Sequence, residues 1–440
     1  MTVKHGYAHW AKCGLALVSL LVVSNCGGVS NSGGQTVTTP TPAPSPTPSP
    51  SPSPTPTTIA GVSRQIVATF DHPWAMEFLP NQSILLSERD KSAQVAGKLW
   101  VVSQTGDTLE VGGLPANDGI LDIKLSPNFI WDSQIYVSFI EPGGPNEPRV
   151  GRDASDTSRV PEGLSVFRAQ LNVTSNSASL QNVQVIWRQT PKVVSSPGSG
   201  EPGGHMTFTP DGKYLFIAAG DRQELDYDST TPYDQDGIYL SSLSNTLGKI
   251  IRILPDGGIP NDNPFVATSG ALPEIWALGL RNPYGLAFDG NGNLWEHENG
   301  PEGGDEFNLI QKGANYGWSK VSNGRNYGSP TDDIPDHSPG DGFVAPTITW
   351  YTAIAPSGLI FCHNDFGTLF SQWAGDALVG AMKGQKLVRI HVSGTSASIV
   401  QDIPMPTRIR DVAQAGDGAI WVIQDYPDGA LVRLTPVYGP

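Results

Sequence analysis

The chain is poor in cysteine and in positive charge, and its apolar runs are short. Only 3 cysteines occur among 440 residues, which leaves little room for a disulfide framework. The 27 Lys and Arg residues stand against 42 Asp and Glu residues, for a net charge of −15, so nucleic acid is not an expected partner. Charged residues make up 16%, whereas Gly and Pro number 50 and 38, a composition that favours many short strands and turns over long helices.

The amino end has the pattern of an export signal. Lys4 and Lys12 flank a short polar stretch before an apolar run from Leu15 to Val23, which is too short to span a membrane. Cys26 lies where bacterial lipoprotein signals place the acylated cysteine. We therefore expect residues 1–25 to be a lipoprotein signal peptide and Cys26 to be lipidated. The alternative is ordinary cleavage nearby, with Cys26 as a free thiol.

Two further predictions follow from this reading of the amino end. Cys13 would leave with the signal, so Cys362 would stand alone, in an apolar run that predicts a buried structural thiol. Gly27 follows the lipidated position instead of the Asp that often retains lipoproteins at the inner membrane. We therefore expect an outer-membrane anchor that leaves the folded part facing the periplasm.

Residues 26–58 read as a Pro-, Ser- and Thr-rich tether. Proline recurs at every second position from Pro40 to Pro56, which favours polyproline II and could hold the folded part roughly 50 Å from its anchor. A flexible tether is the alternative and has similar consequences. No second linker follows, so residues 59–440 are expected to form one domain.

Strand-like apolar segments return around turn signals six times within this domain. The units are 74–78 with 84–86, 121–125 with 135–137, 207–208 with 215–217, 286–288 with 294–295, 359–361, and 412–413 with 420–422. Pro-Asp-Gly and Asn-Gly between paired segments suit tight turns. The pattern predicts an all-β fold, a six-bladed β-propeller, with a pair of β-sandwiches as the alternative. A propeller gathers loops from all its blades at one axial mouth.

Two groups of residues suggest binding chemistry. Arg408 and Arg410 alternate on a predicted strand, so both guanidinia point to one side, and Lys383 precedes another strand. An anion-binding role competes here with salt bridges to Asp411 or Asp402. The loop at 300–306 is rich in glycine and acidic residues and could supply oxygen ligands for Ca²⁺, although such a loop is more often a solvated turn.

Several segments, taken together in order and spacing, resemble the soluble glucose/sorbosone dehydrogenase family. They are Pro73-Trp74-Ala75-Met76, Gly119-Ile120-Leu121-Asp122, Pro210-Asp211-Gly212 with Gly220-Asp221, residues 248–253, residues 275–318, Ala355-Pro356-Ser357-Gly358, Lys383, and Arg408-Ile409-Arg410-Asp411. The resemblance spans nearly all of residues 70–436. It implies a six-bladed propeller that uses pyrroloquinoline quinone (PQQ) and Ca²⁺.

The resemblance also implies roles for single residues. Arg281 and Asn282 would contact the quinone oxygens, and the cations Lys383, Arg408 and Arg410 would hold the three carboxylates of PQQ. The backbone carbonyls of Gly300 and Pro301 would bind the Ca²⁺ that polarises the quinone. Glu306 and Tyr316 align with a second, structural Ca²⁺ site, and Asn117 aligns with a polar residue at the mouth of the active site.

One departure affects the catalytic base. Where the family has a histidine that takes the proton from the anomeric hydroxyl of the sugar, this chain has Glu201, and His205 is displaced by four residues. A buried Glu201 could act as the base if its pKa were raised toward neutrality. His205 could instead swing in through the Gly203-Gly204 bend, or neither could work, which would leave a catalytically weak propeller that still binds a cofactor, sugar or other partner.

The expected activity is oxidation of an aldose at C1 to its lactone, with electrons passed to an external acceptor. A Ca²⁺-dependent lactonase-type hydrolase and a noncatalytic binding propeller are the alternatives.

Two features of the sequence are weaker indicators of function. The acidic cluster Asp226, Asp228, Asp234 and Asp236 reads as a solvated surface. Tyr284 occupies a place where the family often has a polar amide, so either a cofactor contact is changed or the ring simply packs.

Overall fold

The computed structural model describes residues 58–89, 95–151, 153–194, 200–223, 242–329, 334–365 and 367–439. The signal peptide, Cys26, all of the tether except Thr58, and the acidic cluster at 226–236 lie outside these residues. The described residues belong to one compact unit, Thr55–Pro440. Within them, no helix has the length and apolar character needed to cross a membrane.

The described part of the chain is nearly all β-structure, as predicted. Its strands are β1 (Ile59–Phe70), β2 (Pro73–Phe78), β3 (Ile84–Glu88), β4 (Lys98–Val102), β5 (Thr108–Gly112), β6 (Ile120–Leu125), β7 (Gln134–Pro142), β8 (Glu162–Val173), β9 (Ala178–Arg188), β10 (Gly203–Phe208), β11 (Leu215–Ala219), β12 (Lys249–Ile253), β13 (Ile275–Leu278), β14 (Pro283–Phe288), β15 (Leu294–Glu298), β16 (Asp305–Ile310), β17 (Ile348–Trp350), β18 (Pro356–Phe361), β19 (Ala377–Ala381), β20 (Lys386–Ser393), β21 (Ser396–Pro404), β22 (Ile409–Gln414), β23 (Ile420–Gln424) and β24 (Gly429–Tyr438). The helical elements are α1 (Phe129–Asp132) and a 3₁₀ turn at Ser371–Trp373. The five predicted turn regions lie between consecutive strands, and the sixth unit, 359–361, lies within β18.

The strands form antiparallel sheets that follow one another along the chain. Three four-stranded sheets have the orders β10-β11-β12-β13, β14-β15-β16-β17 and β18-β19-β20-β21. An eight-stranded sheet contains β2 to β5 and β6 to β9, joined where β5 and β9 pair in parallel over Val111 and Gly112. Apart from this short junction, it consists of two four-stranded antiparallel halves.

The amino-terminal strand completes the last sheet, whose order is β1-β24-β23-β22. Pairing between β1 and β24 runs from Ile59 opposite Tyr438 to Phe70 opposite Gly429. The two ends of the described chain are therefore hydrogen-bonded to each other. This pairing closes the molecule on itself and removes the free edges that β1 and β24 would otherwise have there.

Six strands, β2, β6, β10, β14, β18 and β22, form a closed ring in which each contacts the next and β22 contacts β2. Hydrogen bonds between residues near the beginnings of neighbouring ring strands place those beginnings at the same end of the ring. The backbone N–H of Met206 donates to Asp122 (2.7 Å), and that of Met76 donates to Asp411 (2.8 Å). We call the end of the ring where these six strands begin the mouth.

Each of the six ring strands has an irregular register with its partner within its first few residues. Such bulges bend a strand and redirect its side chains. The fourth position of every ring strand is an apolar residue that packs in the core. These residues are Met76, Ile123, Met206, Leu286, Leu359 and Val412, all at most 7% exposed. The apolar layer holds the ring strands in place in the core. The bulges redirect the first residues of each ring strand toward the mouth.

Candidate active site at the mouth of the ring

The floor of the mouth is built from large side chains at the starts of the ring strands. Trp74 of β2 and Tyr284 of β14 come from strands three places apart in the ring, hence from opposite sides, and their ring centroids lie 6.3 Å apart. The centroid of the His205 ring is 5.2 Å from that of Tyr284. All three side chains are buried. Tyr284 therefore contributes to a shared floor, beyond the simple strand packing considered from the sequence.

Arg281 organises the rim above this floor. Its guanidinium is buried and pairs through Nη2 with Glu201 Oε1 at 2.7 Å. The Nη1 atom donates to the carbonyl oxygens of Gly300 (2.8 Å) and Asn299 (3.0 Å). The structure thus brings together three residues that the sequence singled out, Arg281, Glu201 and Gly300, from three separate segments of the chain.

Glu201 is held in an uncommon backbone conformation, with φ of 60°. A non-glycine residue in this left-handed region costs free energy and marks positions that the surrounding structure constrains. The Glu201 carbonyl accepts one hydrogen bond from the backbone N–H of Arg222 (3.2 Å), and the Glu201 side chain is only 10% exposed. The guanidinium of Arg281 stabilises the ionised carboxylate, which is the form that accepts a proton.

His205 lies lower than Glu201, within strand β10 and against Tyr284. Burial lowers the pKa of His205 to about 4, and Asp122 only partly opposes this effect. The imidazole is therefore neutral at pH 7. Of the two candidate bases, Glu201 is the one that the structure places at the rim beside Arg281. His205 belongs to the floor.

We expect His205 to make the protein less stable in acid. The imidazole titrates near pH 6.5 when unfolded but near 4 when folded, so between these values the unfolded chain binds more protons. Stability is full above pH 6.5 and falls as the pH drops toward 4. A His205→Gln variant should show a shallower fall when urea unfolding is measured across pH 4–8. The exposed His363→Gln variant is the control, and an equally steep fall in His205→Gln would contradict this assignment.

Arg408 and Arg410 do point to one side, but their partner is neither of the two predicted carboxylates. Both bind Asp425, Arg408 through Nη2 at 2.7 Å and Arg410 through Nε at 2.8 Å. Strand alternation turns Asp411 away from Arg410, and Asp402 pairs with Lys386 instead (2.7 Å). Asp425 follows β23, the strand that pairs with β22, and so lies directly beside both guanidinia.

Asp425 neutralises only part of this charge. Burial alone would raise the pKa of Asp425, but Arg410 and Arg408 outweigh that effect and lower it. One carboxylate therefore faces two guanidinia. Arg410 also lies 3.9 Å from the ring centroid of Trp74 and donates to the Tyr284 hydroxyl (3.1 Å), which ties the cations to the floor.

Lys383 is the third predicted cation. It lies in the turn after β19, where the backbone N–H of Met382 donates to Ala355 (2.9 Å) just before β18 begins. This turn is therefore at the mouth. The Lys383 side chain is exposed and makes no ion pair with any residue in the described ranges. A flexible cation at the rim can reach an anionic ligand without first breaking an internal pair.

Two predicted polar residues are already engaged in loop structure. The Asn117 oxygen accepts from the backbone N–H groups of Gly97 (2.7 Å) and Gly119 (3.0 Å), and its amide donates to Pro115 (3.0 Å). Asn117 thus shapes the loop leading into β6. Asn282 stays closer to the predicted site, since its amide donates to Asn299 Oδ1 at 2.9 Å, next to the carbonyl that binds Arg281.

The turn carrying Gly300 and Pro301 is rich in backbone carbonyls. A Cβ atom at residue 300 would lie 2.3 Å from the Gly303 oxygen and 2.5 Å from the Gly304 oxygen, so this turn requires glycine. Carbonyl oxygens are ligands that Ca²⁺ accepts. However, the Gly300 oxygen accepts from Arg281, and no three His, Cys, Asp or Glu side chains of the described residues converge as a metal cage.

Glu306 lies in a buried group of carboxyls on one sheet. It pairs across strands with Glu298, and Asn308 pairs with Glu296. Burial raises the pKa of Glu306 to about 7 and those of Glu296 and Glu298 well above their usual values. A nearby divalent cation would favour their ionised forms.

The hydroxyl of Tyr316 is already engaged in two hydrogen bonds. It donates to the Leu309 carbonyl (2.6 Å) and accepts from the Gln311 backbone (2.8 Å). These bonds hold the ring in place, so the backbone carbonyl of Tyr316 is the more available oxygen for a second cation site.

Sequence reasoning missed several mouth residues. Arg222, fully buried, pairs with Glu162 at 2.7 Å. Arg89, which follows β3, lies 4.6 Å from the ring centroid of Trp74. Asp221 accepts from the Trp318 indole (2.8 Å). Of these, only Asp221 lay in a motif that the sequence had flagged, and nothing local marked the others.

The model of the Glucose / Sorbosone dehydrogenase family matches residues 70–433. The chain belongs to this family. It is 34% identical to aldose sugar dehydrogenase YliI of Escherichia coli K12 over 83% of this chain and 90% of that protein. It also resembles the solved structure of the soluble aldose sugar dehydrogenase from Escherichia coli in its apo form (TM-score 0.72, 29% identity, 86% of this chain and 100% of that one).

A further solved relative is the PQQ-bound form of aldose sugar dehydrogenase from Streptomyces coelicolor. It has a TM-score of 0.60 and 25% identity, covering 87% of this chain and 99% of that one. These comparisons confirm the resemblance drawn from the sequence. The glucose/sorbosone dehydrogenase relatives are oxidoreductases that act on sugars.

Proposed function

We propose that this glucose/sorbosone dehydrogenase family member oxidises an aldose at C1 to its lactone, using PQQ and Ca²⁺ and passing electrons to an external acceptor. The observation that carries the proposal is the contact of Glu201 with Arg281 at a cationic mouth. The proposal includes six blades, with the two halves of the eight-stranded sheet counted as one blade each. A ring of six strands supports that count.

The residues at the mouth fit a cofactor with three carboxylates. Lys383 forms no ion pair among the described residues, although it acts electrostatically on Glu302, and Arg408 with Arg410 share the single carboxylate of Asp425. In a chain with net charge −15, such an excess of cations at one place is best explained by an anionic ligand. Lys383, Arg408 and Arg410 would hold the carboxylates, and Arg281 with Asn282 would face the quinone oxygens.

PQQ, when bound, supplies the group that accepts electrons from the sugar. The part of the protein in the reaction is proton transfer and positioning. Glu201 accepts the proton of the anomeric hydroxyl, and Arg281 keeps its carboxylate ionised and aimed. The floor of Trp74 and Tyr284 closes the ring below the reacting groups, which keeps bulk water on one side only.

Ca²⁺ would bind at the carbonyl-rich turn of Gly300 and Pro301, where Arg281 would have to share or release the Gly300 oxygen. A second Ca²⁺ would lie beside Glu306 and the Tyr316 backbone, where its charge would favour the ionised form of carboxyls whose pKa burial raises. A lactonase-type hydrolase needs carboxylates or amides around a metal, and the cationic mouth offers little support for it. A noncatalytic binder would keep the cations, but it would not need a carboxylate such as Glu201 that can accept a proton at the mouth.

The proposal extends to the location of the protein. The sequence favours export, lipidation at Cys26 and an outer-membrane anchor that faces the periplasm. A proline-rich tether of residues 26–58 would let the mouth meet a small sugar and a separate electron acceptor in that compartment.

The proposal is tested by reconstitution. The purified chain is incubated with PQQ and Ca²⁺, and dye reduction is followed across a panel of aldoses. We expect turnover that requires the sugar, PQQ and Ca²⁺ together, and that stops when a chelator removes the metal. PQQ binding without turnover on any aldose would overturn the dehydrogenase activity, and the absence of PQQ binding would overturn the cofactor as well.

A further inference from the structure

Arg89 is a buried cation at the mouth. It directly follows β3, and its backbone N–H donates to His72 (2.9 Å), just before β2 begins. The residue is 3% exposed, and its guanidinium carbon lies 4.6 Å from the centroid of Trp74. Gly119 makes room for it, because a Cβ at that position would lie 2.4 Å from Arg89 Cγ.

The guanidinium of Arg89 has no hydrogen bond or ion pair to any residue in the described ranges, and its buried Nε lacks a partner. The nearby carboxylate of Glu162 is already bound to Arg222 at 2.7 Å. Asp118, half-buried in the loop before β6, also acts on Arg89 electrostatically but forms no hydrogen bond with it. Burial lowers the pKa of Arg89 to about 10, so the side chain remains charged at neutral pH.

The other buried arginines of the mouth differ from Arg89 in this respect. Arg222 pairs with Glu162, Arg281 pairs with Glu201, and Arg410 pairs with Asp425. A buried charge without a counterion is costly, and buried charges in proteins are normally paired. The position of Arg89 therefore suits a cation whose counterion is a bound ligand. Arg89 also lies close to a residue proposed to bind the cofactor, since the guanidinium groups of Arg89 and Arg410 both contact the ring of Trp74.

We propose that Arg89 binds a carboxylate of the ligand that fills the mouth. A guanidinium presents paired N–H donors that match the two oxygens of a carboxylate. The carboxylate has two possible sources, the cofactor of the proposed function or an acidic sugar such as a uronic acid. This inference rests on the proposed function and adds a cation that neither the sequence nor the family motifs had marked.

The test compares the wild type with Arg89→Gln and Arg89→Lys. Arg252→Gln is the matched control, since Arg252 is also buried against aromatic rings but pairs with Asp262 (3.0 Å) outside the mouth. PQQ binding to the metal-loaded apoprotein is measured by quenching of tryptophan fluorescence. The kcat/KM values for glucose and glucuronate are compared in the PQQ-saturated protein.

If the cofactor supplies the carboxylate, Arg89→Gln should weaken PQQ binding by roughly 10- to 100-fold, and Arg89→Lys should weaken it less. If the sugar supplies it, PQQ binding should be unchanged, and kcat/KM should fall by a similar factor for glucuronate but not for glucose. Wild-type values for both ligands in a folded Arg89→Gln protein would overturn the proposal.

Two further readouts separate this proposal from a structural role and from failure of the proposed function. Removing an unpaired buried cation should leave the urea midpoint of the apoprotein unchanged or higher, so a marked loss of stability would mean that Arg89 is structural. If the wild type binds no PQQ and oxidises no sugar, citrate serves as the carboxylate probe. Citrate should then raise the melting temperature of the wild type more than that of Arg89→Gln, and an equal rise would overturn the proposal.

Discussion

Replacing Glu201 with glutamine is expected to lower sugar-dependent turnover by roughly 100- to 10,000-fold, the usual contribution of a positioned general base. Glutamine keeps the size of the side chain and can still accept a hydrogen bond from Arg281, but it cannot take up a proton. PQQ affinity should therefore change far less than kcat. The measurement is steady-state dye reduction at saturating PQQ, with the PQQ dissociation constant determined separately.

The control for this substitution is Glu141→Gln. Glu141 also pairs with an arginine, Arg188 at 2.8 Å, but it lies on β7 outside the ring strands, and its variant should retain wild-type turnover. An active Glu201→Gln enzyme would show that another group takes the proton. If Glu201→Gln also lost its PQQ affinity, the carboxylate would be acting mainly through Arg281.

Replacing Asp425 with asparagine is expected to lower the free energy of unfolding of the apoprotein by about 3 kcal/mol. Arg410 is 4% exposed and would lose its carboxylate, while Arg408 beside it would add repulsion. An anionic ligand should offset part of this loss, because a ligand that binds only the folded state stabilises it. We therefore expect PQQ to raise the melting temperature of this variant more than that of the wild type.

Asp417→Asn is the matched control for Asp425. Asp417 also pairs with an arginine, Arg433, but both side chains are partly exposed, and surface pairs of this kind contribute at most about 1 kcal/mol. Urea unfolding with and without PQQ measures both variants. If both variants lost the same free energy of unfolding, Asp425 would be an ordinary surface partner. Arg408 and Arg410 would then not depend on it for charge neutralisation.

Much of the fold could be predicted from the sequence because its signals are local. Strand-like apolar segments located all six ring strands, five of them with a turn signal beside them, and alternation alone placed Arg408 and Arg410 on one side. The partner of these arginines could not be found in this way, since Asp425 arrives from across a turn and a neighbouring strand. The same limit hid the pairing of β5 with β9, for which no sequence pattern exists.

The sequence predicted many of the residues in the candidate site but few of the contacts between them. Family motifs supplied Arg281 and Glu201, but their direct contact joins segments 80 positions apart, and only the closed ring makes them neighbours. Arg89 carried no signal, because an arginine after a strand is common. What distinguishes it is that it is buried without an ion pair to any residue that the structure describes, and that property exists only in three dimensions.

The pairing of β1 with β24 also sets the order in which the protein can fold. Strand β1 pairs with Gly429–Tyr438, which lies at the opposite end of the described chain. Contacts between such distant residues form late and slowly. We therefore expect β1 to gain its partner late in folding. The mouth depends on the same kind of contact, since Trp74 and Tyr284 of its floor also come from distant parts of the chain.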